Sequence, residues 1–190
     1  FEHHLSHAAS GYFTSGMDKA VVIAADGEGD QISTAVYYGE GNQLKEILTL
    51  DIPQSLGYFY TAIGVYLGLR MFDEGKTMGL ASYGNPVYPF PIRLTDDAYR
   101  LQINPKFQSK ARLNQITRQW VYYLTKKYGT PYVRPPQLNQ MTGYIGTAPI
   151  PYDQRAKNLA ASAQKALEDV LLHLVRVYTQ KCNCRPAAWP

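Results

Sequence analysis

The stretch FEHHLSHAASGYFTSGMDKAVVIAADGEGD, residues 1–30, joins a histidine-rich segment, an apolar run and an acidic, glycine-rich end. His3 and His7 lie four residues apart, so a helix would project both imidazole rings from one face, one turn apart. The apolar run 19–25 is typical of a buried strand, and Asp26 follows it directly. The stretch therefore predicts a helix and a strand that bring two imidazoles and a carboxylate together.

These three side chains match a common ligand set for metal ions. Two histidines and one carboxylate with an open coordination position often hold a catalytic transition metal. We interpret His3, His7 and Asp26 as candidate ligands of a divalent metal. His4 does not share their helix face, so we expect it to orient a ligand rather than bind the ion. A pair of ordinary surface histidines is the alternative, because the HxxxH spacing also arises often by chance.

The acidic end of the stretch suits a phosphate group as well. Gly27 and Gly29 would let backbone N–H groups approach a phosphate closely, and Asp30 closes the segment. A hairpin turn at 27–30 is the plainer interpretation, and the two are compatible.

A second stretch with candidate chemistry is Glu74-Gly75-Lys76, which sets a carboxylate and an ammonium group beside a glycine. Lys76 would meet a phosphate as a compact point charge. A helix-terminal lysine with an exposed head group is the alternative.

Hydropathy patterns predict an α/β protein built on an antiparallel sheet. Strands are predicted at 19–25, 31–38 and 43–50, with turns at 27–30 and 39–42, which makes a three-stranded meander. Helices are predicted at 3–14, 56–71, 77–83, 113–128 and 153–180. Ser55 is a candidate N-cap for the second helix. Segment 92–103 predicts a hairpin or short strands, and 130–152 lacks periodicity and is expected to be a long loop.

The composition narrows the class of protein. The chain has 190 residues, of which 45% are hydrophobic and 18% charged, values that exclude a disordered chain. The net charge of +4 comes without a Lys/Arg block, which argues against a nucleic-acid partner. No apolar segment is long enough for a membrane span. With only Cys182 and Cys184 as thiols, we expect a reducing, cytoplasmic location.

Three motifs of the chain resemble one known family. The first has two parts, HHLSHAAS at 3–10 and DGEGD at 26–30. The second is EGKTMGLASYG at 74–84, and the third is NLAASAQKALE at 158–168. In this order they are similar to the signatures of the carbamoyltransferase family of nodulation-factor and antibiotic-tailoring enzymes. The resemblance extends from Phe1 to about Gln180.

The resemblance implies an O-carbamoyltransferase. Such an enzyme makes carbamoyl-adenylate from carbamoyl phosphate and ATP, and then passes the carbamoyl group to a hydroxyl of a sugar or natural product. It implies Fe(II) as the divalent metal on His3, His7 and Asp26, with a fourth ligand, an aspartate well downstream, that this chain lacks. It also implies that Gly27, Gly29, Asp30, Gly75 and Lys76 line the nucleotide.

The implied fold is that of the actin-like ATPases, or ribonuclease H-like fold, because a strand, an acidic glycine turn and two more strands begin each half of that superfamily. We expect an incomplete protein, with residues 1–18 ending a first lobe and 19–180 forming a second lobe. An insertion is expected at about 85–152. The tail 181–190 departs from the family pattern, and we hypothesise a frame-shifted reading that the coding DNA would reveal.

Three other functions stay open at this point. A tRNA threonylcarbamoyl transferase-like enzyme shares the HxxxH spacing. A metal- or nucleotide-binding remnant without activity would fit the missing fourth ligand. A zinc protease fits least, because Leu5 occupies the place of the general base in HExxH.

Overall fold

The computed structural model describes residues 1–103, 113–133, 136–138, 145–147 and 150–184. It is a mixed α/β structure, as predicted. The helices of the described part are α1 His3–Thr14, α2 Leu56–Tyr66, α3 Glu74–Ala81, α4 Leu113–Tyr128 and α5 Gln154–Lys181. The strands are β1 Lys19–Gly29, β2 Ile32–Glu40, β3 Gln43–Asp51, β4 Ile92–Leu94, β5 Tyr99–Leu101, β6 Pro136–Leu138 and β7 Ile145–Thr147.

The chain divides into two compact units. The first comprises Phe1–Tyr58, Pro91–Leu113 and Ala166–Pro190, and the second comprises Phe59–Phe90 and Asn114–Lys165. The expected division into a lobe end at 1–18, a lobe at 19–180 with an insertion, and a tail stays a prediction. Residues 185–190 of that tail lie outside the described residues.

The predicted three-stranded meander is confirmed in the first unit. β1, β2 and β3 form an antiparallel sheet in that order. The strands are longer than predicted, and β1 in particular continues past Ala25 to Gly29. Paired residues run from Ala25↔Thr34 directly to Gly29↔Ile32, so β1 carries two more residues than β2 over this interval. Such an excess is a β-bulge, which re-aims the side chains it carries.

The predicted turn at 27–30 is therefore wrong in position. The chain reverses at Asp30 and Gln31, whose φ angles are +52° and +69°. Two left-handed residues between paired strands make the hairpin turn whose twist matches the flanking strands. Gly27 and Gly29, which pointed to the turn in the sequence, lie in the bulged end of β1 instead.

Helix α1 packs on this sheet through one stripe of residues. His4, Ala8 and Tyr12 are spaced by four and all are buried. Ala8 packs with Ala35 and Tyr37 of β2 in one apolar cluster. Because this stripe faces the sheet, the other two histidines of α1 lie on its flank.

Several element boundaries differ from the prediction. α2 ends at Tyr66 rather than at residue 71, because Gly68 has a left-handed φ of +76° and Leu69 N–H turns back to the Gly64 carbonyl at 2.9 Å. α3 begins at Glu74 rather than at residue 77.

The segment 130–152 was expected to have no regular structure, and this is wrong in part. It contains the antiparallel pair β6 and β7. Three-residue strands of this kind are held by backbone pairing and leave no alternating hydropathy in the sequence. The hairpin expected at 92–103 is confirmed as β4 and β5, and the helices expected at 113–128 and 153–180 are confirmed as α4 and α5.

No helix in the described part of the chain has both the length and the hydropathy that crossing a bilayer requires. Cys182 and Cys184 are both free thiols.

A buried tyrosine ties the meander to the β4–β5 hairpin within the first unit. Tyr99 is fully buried, its hydroxyl donates to the Gln54 carbonyl at 2.7 Å, and it lies 2.9 Å from the Thr34 hydroxyl. The Gln54 side chain in turn accepts the Leu101 N–H at 2.7 Å.

We predict that Tyr99→Phe destabilises the protein, because it leaves the buried Thr34 hydroxyl and the half-buried Gln54 carbonyl short of a partner. The expected loss in free energy of unfolding is about 1–3 kcal/mol. The matched control is Tyr38→Phe, whose hydroxyl bonds Glu40 at the surface and whose loss should cost at most about 0.5 kcal/mol. Urea unfolding measures both, and equal losses in the two variants would contradict the prediction.

Candidate metal centre

The three predicted ligands come together at the junction of α1 and the end of β1. His3 Nε2 lies 2.8 Å from Asp26 Oδ2, and His7 Nε2 lies 3.1 Å from His3 Nε2. The third separation, from His7 Nε2 to Asp26 Oδ2, is 3.7 Å. The structure thus groups the three side chains that the sequence singled out, and it does so in the only such cluster of the described residues that could hold an ion.

The spacing of these atoms fits a metal ion. An ion about 2.1 Å from each atom needs ligand atoms about 3.0–3.4 Å apart, from octahedral to tetrahedral angles. The three observed separations, 2.8, 3.1 and 3.7 Å, bracket that range. The side chains are between 38% and 59% exposed, which leaves one side of the cluster open to a further ligand.

Hydrogen bonding alone satisfies the cluster poorly. If His3 donates its Nε2 proton to Asp26, that nitrogen has no lone pair left for a proton from His7. The two contacts of His3 Nε2, with Asp26 Oδ2 at 2.8 Å and with His7 Nε2 at 3.1 Å, therefore compete, because this nitrogen carries either one proton or one lone pair. A cation that accepts lone pairs from all three atoms removes this conflict.

The end of β1 fixes His3 at two further points. Asp30 Oδ2 accepts the backbone N–H of His3 at 2.8 Å, which supplies a partner to the first turn of α1. Gly29 lies against the His3 ring, and a Cβ atom at this position would clash with the ring at His3 Cδ2. Asp30 and Gly29, which the sequence suggested as nucleotide contacts, are thus seen here to hold a histidine.

The carboxylate of Asp26 is stabilised in its charged form. Burial alone would raise its pKa, but the hydrogen bond from His3 and the N–H of Gly27 outweigh burial and hold the pKa of Asp26 below its usual value. Gly27 N–H donates to Oδ1 at 2.7 Å, so the two carboxylate oxygens have different partners. Oδ2 is the oxygen that faces the histidines.

His4 lies behind the cluster. It is buried, and its ring stands edge-on to the His3 ring with centroids 5.2 Å apart. Burial and the neighbouring His3 lower the pKa of His4, against a smaller opposing effect of the Ser33 backbone. Neither ring nitrogen has a hydrogen-bond partner of good geometry among the described residues. Its expected role in orienting a ligand stays a prediction.

The start of α2 contributes residues that the sequence did not connect with this site. Ser55 is the N-cap that was predicted, since its Oγ accepts the Tyr58 N–H at 3.0 Å. The Tyr58 hydroxyl donates to Glu28, and its ring packs on Gly27. Burial and then Glu28 raise the pKa of Tyr58. Only the N-capping pattern at Ser55 was visible in the sequence, because the contacts with the bulge join residues about thirty positions apart.

The second candidate stretch belongs to the second unit. Gly75 and Lys76 lie in the first turn of α3, and a Cβ atom added to Gly75 would point into open space. Lys76 Nζ lies 2.7 Å from Asp73 Oδ1, and its side chain is exposed. The predicted contact with a nucleotide stays a prediction, and Lys76 would exchange Asp73 for a phosphate in making it.

The two later signature segments contact each other within this second unit. Gly84, at the end of one, packs so closely on the backbone of Lys157 that a side chain at 84 has no room. The next residue, Asn85, donates its N–H to Asn158 Oδ1 at 2.8 Å. These two contacts join the two signature segments within the second unit.

Comparison with known proteins identifies the family of this chain. The family described as Carbamoyltransferase N-terminus matches residues 1–188. The nodulation protein NolNO of Sinorhizobium fredii is 33% identical over 179 residues, covering 94% of this chain and 23% of that protein. The nodulation protein NolO of Bradyrhizobium diazoefficiens is 31% identical over 180 residues, covering 92% of this chain and 28% of that protein.

An uncharacterized Synechocystis protein, sll1178, is 36% identical over 177 residues, covering 91% of this chain and 26% of that protein. The chain thus spans about a quarter of the length of the curated relatives it matches. Since the family match extends over nearly the whole chain, and the three signatures that suggested it all lie inside the match, the chain belongs to the carbamoyltransferase family.

Proposed function

We propose that this chain is the metal- and nucleotide-binding part of an O-carbamoyltransferase. The observation that carries the proposal is the convergence of His3, His7 and Asp26, whose ligand atoms lie within 3.7 Å of one another. Family membership supplies the carbamoyl chemistry, and two histidines with one carboxylate and an open side are typical of Fe(II). An ion held there would polarise an acyl or phosphoryl oxygen as a Lewis acid.

The proposed reaction has two steps. Carbamoyl phosphate, ATP and water give carbamoyl-adenylate, phosphate and pyrophosphate. The hydroxyl oxygen of a sugar or natural product then bonds to the carbamoyl carbon, its proton passes to a base, and AMP leaves. Within this scheme residues 26–30 of the first unit would contact the adenylate, and Asp26 would keep its carboxylate charged. Lys76, which belongs to the second unit, stays a separate predicted contact of the nucleotide.

The proposed fold is the actin-like ATPase or ribonuclease H-like fold, and the proposed location is the cytoplasm. The order of β1, an acidic bulge, β2 and β3 supports the first. The free thiols of Cys182 and Cys184 support the second.

We predict that the chain, purified without oxygen and loaded with Fe(II), binds about one equivalent of metal, as one three-ligand site would. The double variant His3→Ala/His7→Ala should lose it, because one carboxylate alone is a weak site. His173→Ala is the matched control, since this histidine bonds the Thr95 carbonyl and is not part of the candidate cluster among the described residues. Metal content by mass spectrometry checks this. Full metal in the double variant, or none in the wild type, would contradict the proposed centre.

Gly29→Ala should also abolish metal binding, without removing any ligand. Its methyl group would displace the His3 ring, whereas Gly11→Ala in α1 meets only an ordinary contact of 3.9 Å with Val22. Gly11→Ala should keep the metal and gain up to about 1 kcal/mol from the better helix former. Fe(II) titration and urea unfolding measure the two effects. A Gly29→Ala protein that binds Fe(II) like the wild type would show that the His3 position is not needed.

Transfer itself is tested with carbamoyl phosphate labelled in its carbamoyl carbon. The full translated product of the gene and the 190-residue chain are each given ATP, Mg²⁺, Fe(II) and a panel of hydroxylated acceptors. We expect ATP-dependent labelling of an acceptor, and Lys76→Ala should raise the KM for ATP about tenfold or more by removing a charged contact. Lys126→Ala, an exposed lysine of α4, is the control.

Each failure in this assay has its own meaning. Label that appears on tRNA adenosine, with threonine required, would favour the threonylcarbamoyl transferase alternative. Binding of Fe(II) and ATP by both proteins, without label on any acceptor, would favour a binding remnant. A KM for ATP that Lys76→Ala leaves unchanged would remove Lys76 from the nucleotide site.

A further inference from the structure

The backbone that carries Asp26 is not held by the sheet. The pairing between β1 and β2 stops at Ala25↔Thr34 and resumes at Gly29↔Ile32, so the residues between have no ladder partner in β2. A catalytic or metal-binding carboxylate on such a bulge needs another anchor, since ligand geometry must be held within a fraction of an ångström.

The side chain of Ser55 supplies that anchor. Its hydroxyl points at the carbonyl oxygens of Gly27, at 2.7 Å, and of Asp26, at 3.2 Å. Its oxygen accepts the Tyr58 N–H at 3.0 Å, so the start of α2 fixes the hydroxyl in place. Ser55 is fully buried, and water does not compete for these bonds.

Two neighbours of Ser55 make the close approach possible. A Cβ atom on Gly57 would stand 2.6 Å from the Gly27 nitrogen, so only glycine lets α2 start this near the bulge. The ring of Tyr58 covers Gly27, and its hydroxyl holds Glu28. Three residues at the start of one helix, Ser55, Gly57 and Tyr58, thus contact the bulge.

The contacts link Ser55 to the carboxylate through the backbone. Ser55 fixes the direction of the peptide groups that follow Asp26 and Gly27. The Gly27 N–H, part of the first of these groups, donates to Asp26 Oδ1 and leaves Oδ2 facing His3. We infer that Ser55 is a positioning residue for Asp26, and this inference rests on the metal centre proposed above.

The test uses Co(II) as the probe, because its visible absorption reports the ligand set. Ser55→Ala should bind Co(II) about tenfold to a hundredfold more weakly and with a changed absorption band, as is typical when a partner that orients a ligand is lost. Ser55→Thr keeps the hydroxyl and should restore both. Should Ser55→Ala fail to fold, Ser55→Gly takes its place, since glycine is a far better N-cap than alanine.

Ser33→Ala is the matched control. Ser33 is also fully buried, and its hydroxyl also faces two consecutive carbonyls, those of Leu50 and Asp51, at 3.1 and 2.9 Å. Its loss should lower stability as Ser55→Ala does, but it should leave Co(II) affinity and absorption as in the wild type. Equal effects of the two variants on Co(II) binding would overturn the inference.

Amide hydrogen exchange in the metal-free chain separates this inference from the metal centre itself. Ser55→Ala should speed exchange at Gly27 relative to wild type and Ser33→Ala. A wild type that binds no Co(II) would remove the metal centre, and the exchange result would then decide alone whether Ser55 holds the bulge. Unchanged exchange at Gly27 in Ser55→Ala would overturn the inference whatever the metal result.

Discussion

The contact between His3 and the end of β1 is the constraint on which the candidate site depends. The Asp26 carboxylate bonds the ring nitrogen of His3, and the Asp30 carboxylate accepts the backbone N–H of His3. Gly29, which has no side chain, leaves room for the His3 ring. Because His3 is the first residue of α1, fixing both its ring and its backbone also fixes where the helix begins. The position of His7, one turn further along, follows from that start, and its ring approaches both His3 and the Asp26 carboxylate.

The two oxygens of Asp26 have different partners, and together these partners keep the carboxylate ionised. Oδ1 accepts the neighbouring Gly27 N–H, which holds the carboxylate against its own backbone. Oδ2 remains for the histidines, and the favourable contacts keep the pKa of Asp26 low despite partial burial. A carboxylate that stays ionised, with one lone-pair face directed outward, is what a metal ligand requires.

The grouping of the three candidate ligands was predictable from the sequence because it rests largely on local geometry. The i, i+4 spacing of His3 and His7, and an apolar run at 19–25 followed directly by Asp26, are visible without any long-range information. The turn was misplaced because Gly27 and Gly29 are the usual markers of reversal, whereas here they permit close packing and the left-handed turn falls on Asp30 and Gln31. Contacts with α2 could not be predicted, since nothing local in the sequence ties Ser55 to a bulge twenty-eight residues earlier.

Because the turn lies at Asp30 and Gln31, two non-glycine residues adopt a left-handed backbone. Each such residue costs about 1 kcal/mol or more relative to an ordinary conformation. Asparagine or glycine at 30 and 31 would avoid most of that cost, but neither carries a carboxylate. Asp30 in its observed conformation turns its side chain onto the first N–H of α1, a charged contact with the positive end of a helix. The strain at this turn is thus offset by the hydrogen bond between Asp30 and the His3 N–H. The same bond fixes where α1 begins, and therefore where its two histidines lie.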